Sequence, residues 1–404
     1  MYKNKFNLRN VIAIAICLAG TVFMTINAQS VDVYAAGYEQ TEDGKYVSKV
    51  WKNGEVLYNL TTINDYAFTI NSIFVLGNDV YVAGTDSKRI SSSSFQFSAK
   101  LWKNGEELYS LNNARFEDIH ISGEDIYIAG IEYITSTKKI GKVWKNNEVL
   151  YSLTNNSDGP YIFAMCVSDN DIYVCGRTQN SYGIYIATVW KNGSQLFTYS
   201  PISTSGNIWS DAFDIDVSNN SVYVSGYSGF SGFDPIIYKY DGNNNNVIYS
   251  YPPEGHIATP TYVYSIDVVG NDVYAVRTQP HLTHTDKVFK NSFELYSFAN
   301  TNITDISVKN NDVYLVGYDE SNTAKVWKNG EELFALTNGM YEAQASSIFV
   351  IEHGNIGINE ISADTENAIE TGYFDILGRK LTEEPTKGVY IIRYNNGTTK
   401  KMMK

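Results

Sequence analysis

The chain has 404 residues, 31 Lys and Arg against 44 Asp and Glu, and a formal net charge of −13. A surface that acidic repels phosphate backbones, which excludes nucleic acid as a natural partner. With 43% hydrophobic and 14% aromatic residues, the composition also excludes a disordered chain and calls for a packed core.

Residues 1–28 read as a secretory signal peptide. Lys3, Lys5 and Arg9 make a basic start, residues 11–24 an apolar core, and Ala28 a small residue before a cut at Gln29. The apolar run is too short to span a bilayer comfortably. No later stretch is apolar enough, so the mature chain is expected to lack a transmembrane span. Cys17 precedes Leu18-Ala19-Gly20 instead of following it, which disfavours a lipoprotein signal.

Two phrases recur from there on. One is Asp or Ser, then Val/Ile-Tyr, two small or apolar residues and usually Gly. It is centred on Tyr34, Tyr81, Tyr127, Tyr173, Tyr223, Tyr274 and Tyr314. The other reads VWKNGEVLYNL at Val50 and returns at Leu101, Val143, Val189, Val288 and Val326, with a degenerate copy around Tyr240. The shared period of roughly 46 residues lies in the range of propeller blades. Each unit reads as four short strands. In the second unit these are 72–76, 80–83, 97–102 and 107–111, with tight turns at Gly77-Asn78 and Asn104-Gly105 and a long loop over 85–94.

The ends of the array define its closure. The first unit begins at its second strand, residues 32–36. After the last unit, SSIFVI at 346–351 repeats the first-strand text NSIFVL of 71–76. A missing first strand at one end and a spare one at the other predict a closed ring. The expected fold is all-β: a seven-bladed β-propeller of four-stranded antiparallel blades over residues 29–351, closed by a C-terminal strand completing the first blade. An open solenoid would instead carry capping units. Residues 352–370 read as a linker and 371–404 as a small C-terminal β appendage, with strands near 373–376, 388–393 and 398–402.

Cys166 and Cys175 flank the turn 168–171 on adjacent strands. A disulfide and a pair of small buried hydrophobes are both open for them.

The blade text resembles that of uncharacterised secreted propellers with WKNG and DVYVAG units. This resemblance covers most of the mature chain and implies the fold without a ligand. The tail carries Asp375, Gly378-Arg379, Lys387-Gly388, Tyr390, Gly397 and the final Lys400, Lys401 and Lys404. In these residues it resembles the C-terminal sorting segment of proteins exported by the type IX secretion system of Bacteroidetes-like bacteria. That implies the secretion machinery as a partner, and delivery outside the cell or onto its surface.

In a propeller the first–second and third–fourth turns share one face, and the remaining connections share the other. Here the first set is tight and the second long and variable, so binding is expected on the long-loop face. Its candidate ligand-binding residues are Trp209, Tyr66, Tyr161, Phe230, Tyr262 and Tyr341, with Phe116, Tyr182 and Phe233 beside them. Aromatic rings with Asn and Asp nearby suit sugars, whose C–H faces stack and whose hydroxyls need polar partners. Rings that merely plug gaps between blades are the alternative. The Trp of the repeated phrase is expected to be buried between sheets.

On the first strands Ile73, Ile119, Met165, Ile215, Ile266, Ile306 and Ile348 are uniformly apolar and read as core. Asp118, Asp214, Asp216, Asp267 and Asp305 stand on the other side and are expected near the central channel. Carboxylates gathered in a tunnel bind a hard cation such as calcium, raise one another's pKa, or accept backbone amides that cap a neighbouring blade. The same set is the one candidate for acid–base catalysis. His281, His284 and Asp286 form a loop metal motif with no helix to fix it. No serine-hydrolase, zinc-protease or phosphate-loop motif is present. The sequence therefore reads as a secreted or cell-surface binding module for glycan or protein. The alternatives are a polysaccharide-active hydrolase or lyase using the channel carboxylates, and a structural surface protein without a small ligand.

Overall fold

The computed structural model describes residues 31–60, 69–91, 94–135, 138–153, 159–199, 209–229, 234–251, 261–279, 285–353, 370–375, 379–387, 389–394 and 399–403. The signal segment, Tyr66, Phe230, Phe233, His281, His284 and most of the linker lie outside the described residues. The chain divides into a unit spanning Asp32–Ile351 and a second unit that contains Glu352–Lys404.

The first unit is a seven-bladed β-propeller. Its seven four-stranded sheets are antiparallel, and six of them are built from strands consecutive in the chain. Blade 1 is the exception. Its inner strand, Ala343–Glu352, comes from the far end of the ring and pairs with Val31–Gln40, which leads to Tyr46–Lys52 and Glu55–Leu60. The inner strands of blades 2 to 7 are Thr69–Leu76, Ala114–Ser122, Tyr161–Ser168, Trp209–Ser218, Tyr262–Val269 and Thr301–Lys309.

The two repeated phrases satisfy each other. In blade 2, Asn104 (φ 53) and Gly105 (φ 84) make a tight turn in the left-handed region, which Asn and Gly tolerate best. That conformation aims the Asn104 side chain back at the second strand. Its Oδ1 accepts the Val80 amide and its Nδ2 donates to Asp79, both at 2.8 Å. Lys103 Nζ lies 2.8 Å from the same carboxylate and 5.1 Å over the Tyr81 ring. The Asp–Lys pair recurs at Asp32, Asp125, Asp171, Asp272 and Asp312. In blade 5, Ser221 replaces the Asp, and the Lys239 contact with the Tyr223 ring remains.

Neighbouring blades interlock through the same text. A Cβ on Gly105 would fall 2.7 Å from the Tyr58 ring of blade 1, and one on Gly54 2.8 Å from the Phe334 ring of blade 7. Trp51, Trp102, Trp144, Trp190 and Trp327 are all buried, as expected for packing between sheets. Trp102, for instance, sits in a core cluster with Tyr34, Val50 and Ile73 from blades 1 and 2.

Residues 85–94 differ from expectation. The second and third strands of blade 2, Asp79–Ser91 and Ser94–Lys103, stay paired as far as Ser91 opposite Ser94. Residues 85–91 contain no Gly or Pro to interrupt the ladder, so the pairing continues through them.

In the second unit, Lys380–Leu381, Glu370–Phe374, Val389–Tyr394 and Thr399–Met403 form a four-stranded sheet in that order. Among its described residues Tyr390 and Ile392 are buried. Asp375 accepts both the backbone amide (2.9 Å) and Nε (2.6 Å) of Arg379, which ties the ends of two of these strands together. Among the described residues no helix is long and apolar enough to cross a membrane.

Candidate functional site

Six inner strands break register at the same point: between Ile70 and Ser72, Phe116 and Asp118, Ile162 and Ala164, Ala212 and Asp214, Val263 and Ser265, and Ile303 and Asp305. The residue left unpaired in each is Asn71, Glu117, Phe163, Phe213, Tyr264 or Thr304. Such a bulge bends the strand and re-aims a side chain, and here it turns these residues toward the axis.

The bulge explains the Gly that ends the DVYVAG phrase. A Cβ on Gly130, Gly176, Gly226 or Gly317 would lie 2.1, 1.9, 1.9 or 1.9 Å from the carbonyl oxygen of Arg115, Tyr161, Asp211 or Asn302, two residues before each bulge. Gly37 meets the Gln344 carbonyl in the same way, at 2.0 Å, which puts Ser346 at the matching position of blade 1.

Directly after the bulge stands a polar girdle that ties blade to blade. Asp214 accepts the Ile215 amide of its own strand (2.8 Å) and the Ile266 amide of blade 6 (2.8 Å). Ser265 Oγ donates to Asp214 (3.1 Å) and is 2.9 Å from Asp305. Asp305 accepts from Ile306, Ser347 and Ile348, at 2.8, 3.1 and 2.9 Å. The Ile73 amide donates to Ser347 Oγ at 3.3 Å, and Ser72 Oγ to Asp118 at 2.7 Å. Asp118 also accepts the Ile119 and Met165 amides, at 2.8 and 2.7 Å. Ala164 has no polar side chain and interrupts the girdle at the joint between blades 4 and 5.

One step further along the channel, Asp216 accepts the Val268 amide (2.8 Å) and Asp267 the Val308 amide (2.7 Å). On the opposite side of this tier, Phe74 packs against Phe349 and His120 at 4.7 and 4.9 Å between ring centres.

The five candidate aspartates thus fall into two tiers. Each gives one carboxylate oxygen to an amide of the neighbouring blade. Burial pushes Asp118 and Asp305 up to about 6 and holds Asp214 well above the usual carboxylate range. Burial, and then the charge of Asp267, push Asp216 up to about 7. Asp267 is raised by burial, as is Glu117, against the pull of Arg115. Among the described residues no three metal-ligating side chains converge as an ion site.

A cavity of about 440 Å³ stands on the girdle. Phe163, Phe213 and Tyr264 make one wall; Asn71, Glu117, Thr304 and Ser346 make the other; Asp118, Asp214 and Asp305 lie in its floor. Thr69, Asn302 and Gln344, near the N-terminal ends of their strands, also line it. The cavity therefore lies at the end of the channel shared by the second–third and fourth–first connections.

An aromatic track runs to this cavity from the outside. Trp209 is 43% exposed and edge-on to Tyr185 at 5.5 Å. Tyr185 meets Tyr161 at 6.3 Å, and the Arg177 guanidinium lies 4.1 Å from the Tyr185 ring centre, 4.6 Å from that of Tyr161 and 5.6 Å from that of Phe163. Asp211 holds the Arg177 guanidinium at 2.7 Å. Phe163 then meets Phe213 at 5.4 Å, and Phe213 meets both Tyr262 and Tyr264 at 5.7 Å.

Of the aromatic candidates, Trp209, Tyr161 and Tyr262 are brought together. Tyr341 lies half-buried on the connection after blade 7. Phe116 is fully buried against Trp144 and belongs to the core. The bulge residues were missed by sequence reading, although the Gly that ends the repeated phrase marks them in every blade but the sixth, where Arg277 takes its place opposite the Tyr264 bulge.

The disulfide alternative is corrected. Cys166 stands opposite Tyr173 and Cys175 opposite Ala164, so the two cysteines are diagonal instead of opposed. Both thiols are free. Cys166 Sγ faces Asp216 at 3.8 Å, and Cys175 Sγ donates to the Ala212 carbonyl at 3.5 Å. Burial raises the pKa of both thiols.

No known family model matches the chain, and no curated protein sequence does. Solved structures match it as a fold. The periplasmic gluconolactonase of Pseudomonas aeruginosa superposes with a TM-score of 0.50 at 9% identity, covering 80% of this chain and 99% of that one. A prolyl endopeptidase gives 0.45 at 13% identity over 96% of this chain, which spans 59% of the length of that enzyme. An ulvan lyase gives 0.47 at 7% identity, over 75% of this chain and 91% of that one. At these identities the likeness is one of architecture.

Proposed function

We propose that this protein is a secreted or cell-surface β-propeller that binds glycan through its long-loop face. The observation that carries the reading is the aromatic track from exposed Trp209 to the walled cavity on the axis. Sugar rings stack on such surfaces, and polar groups beside them order the hydroxyls. The girdle carboxylates have a structural use, holding blade to blade through amides, which favours binding over chemistry at the channel. The signal-like residues 1–28 and the sorting-like tail support export, with the tail as the part addressed by a secretion machinery.

A glycan array with the mature chain tests this. Binding to at least one oligosaccharide class is expected, weakened by about tenfold or more in Trp209→Ala, as for loss of one stacked ring. Binding to a matrix protein in the absence of any glycan signal would replace this reading with a protein-docking one.

A further inference from the structure

We propose that the axial cavity seats the uncharged end of a glycan chain and turns away sugars that carry carboxylate or sulfate. This rests on the glycan reading above and adds to it a site, an orientation and a charge rule.

The orientation follows from the floor. The cavity stops at the girdle: its lining includes Ser72, Asp118, Ala164, Asp214, Ser265, Asp305 and Ser347. None of the next tier, where Phe74 packs on Phe349 and His120, contributes to it. A polymer cannot thread past this floor, so only a chain end can enter. The volume, about 440 Å³, lies within the roughly 300–1,000 Å³ of ordinary small-ligand sites.

The chemistry follows from the walls. Phe163, Phe213 and Tyr264 offer ring faces on one side, and Tyr264 is 50% exposed. Asn71, Asn302, Thr304, Gln344 and Ser346 offer polar groups on the other. An apolar face opposite a hydrogen-bonding face is the complement of a pyranose ring.

The charge rule follows from the balance of ionised groups. Four carboxylates line the cavity, those of Glu117, Asp118, Asp214 and Asp305, and none of the described lining residues is Lys, Arg or His. Glu117 and Arg115, whose Nε is 3.0 Å from the carboxylate, balance each other, and Arg177 beside Phe163 is held by Asp211. The uncompensated charge is that of Asp118 and Asp305, whose values of about 6 leave them ionised above about pH 7. A uronate or sulfate entering the cavity would meet like charge at close range and no free counter-ion, which disfavours it relative to a neutral ring.

The test is calorimetric titration of the mature chain with neutral oligosaccharides and with counterparts of the same linkage carrying a uronate at the chain end. Neutral chains are expected to bind, and the terminal uronates about tenfold or more weaker. Tyr264→Ala, whose side chain is in the cavity and not in the core, should weaken the neutral ligand by about tenfold. Ser346→Lys should narrow the gap between neutral and acidic ligands by supplying a cation. Terminal uronates binding as tightly as neutral chains would overturn the charge rule while leaving the glycan reading in place. So would neutral binding that is lost in Trp209→Ala and untouched by Tyr264→Ala, for the axial site. Silence toward every glycan would instead remove the reading on which both rest.

Discussion

The two ends of the propeller channel use the same repeat in opposite ways. At the tight-turn end, six blades carry one Asp–Lys pair each, from Lys52 with Asp32 to Lys328 with Asp312, under the same Asn turn. At the other end, the bulge position is Asn71, Glu117, Phe163, Phe213, Tyr264 and Thr304, with no residue type dominant. The difference teaches where to look for function in a repeat protein. Text that repeats is spent on backbone geometry and blade contacts; text that varies on a conserved backbone feature is free to meet a ligand.

The contrast can be broken first at its frame. Deleting residues 345–404 removes most of the inner strand of blade 1 with its bonds to Asp305 and Ile73. It should lower the melting temperature by more than about 10 °C, several kcal/mol on the usual scale for chains this long. Deleting residues 371–404 should change it by less than about 2 °C. Equal losses would mean that the ring is not closed by strand exchange.

Tryptophan in the two settings should behave differently. Trp102→Ala empties a buried site between blades 1 and 2 and should cost about 3–5 kcal/mol in denaturant titration. Trp209→Ala, at a 43% exposed position, should cost less than about 1 kcal/mol.

The Gly behind the bulge is the next target. Gly226→Ala drives a Cβ to 1.9 Å from the Asp211 carbonyl and should cost about 2–3 kcal/mol, by forcing the bulge to rearrange. A neutral result would mean that the bulge is not held by that contact.

Protons separate the two ends by sign. Asp118 and Asp305 have folded-state values near 6, above the ordinary 3.8. Between those values the folded ring holds protons that the unfolded chain releases. Their contribution is therefore greatest below the ordinary value and is lost as pH rises through about 6. The turn-face residues Asp79, Asp125, Asp171 and Asp272 are lowered by their Lys partners, so theirs is present above the ordinary value and lost as pH falls below it. Asp118→Asn should flatten the stability profile between pH 4 and about 7, and Lys103→Ala should leave that window unchanged. Lys103 is exposed in its pair, so its removal is the smallest effect expected, with no resolved shift in the unfolding midpoint.

Much of the frame was legible in the sequence. The period counts the blades, and SSIFVI at residues 346–351 supplies the strand missing before Val31, because two independent phrases keep one phase. The bulge was not legible. One unpaired residue alters register in space without altering spacing between copies, so Phe213 and Tyr264 read as ordinary strand positions. The aspartates were legible as channel residues, while their work was not. Whether a carboxylate meets a ligand or an amide depends on the next blade, as the Ile266 amide on Asp214 illustrates. The run 85–94 was misread as a loop because polar Ser and Lys residues resemble one, although the strands stay paired as far as Ser91 and Ser94. Cys166 and Cys175 were placed on the right strands, but a two-residue offset in register decides between a bridge and two free thiols.

The central claim is that recognition lies in the variable mouth and not in the repeated phrase. Oligosaccharide affinity measured side by side for the wild type, Tyr264→Ala and Lys103→Ala tests it most directly. The account predicts a loss of about tenfold in Tyr264→Ala with Lys103→Ala at wild-type affinity. Unchanged binding in Tyr264→Ala together with lost binding in Lys103→Ala would contradict it.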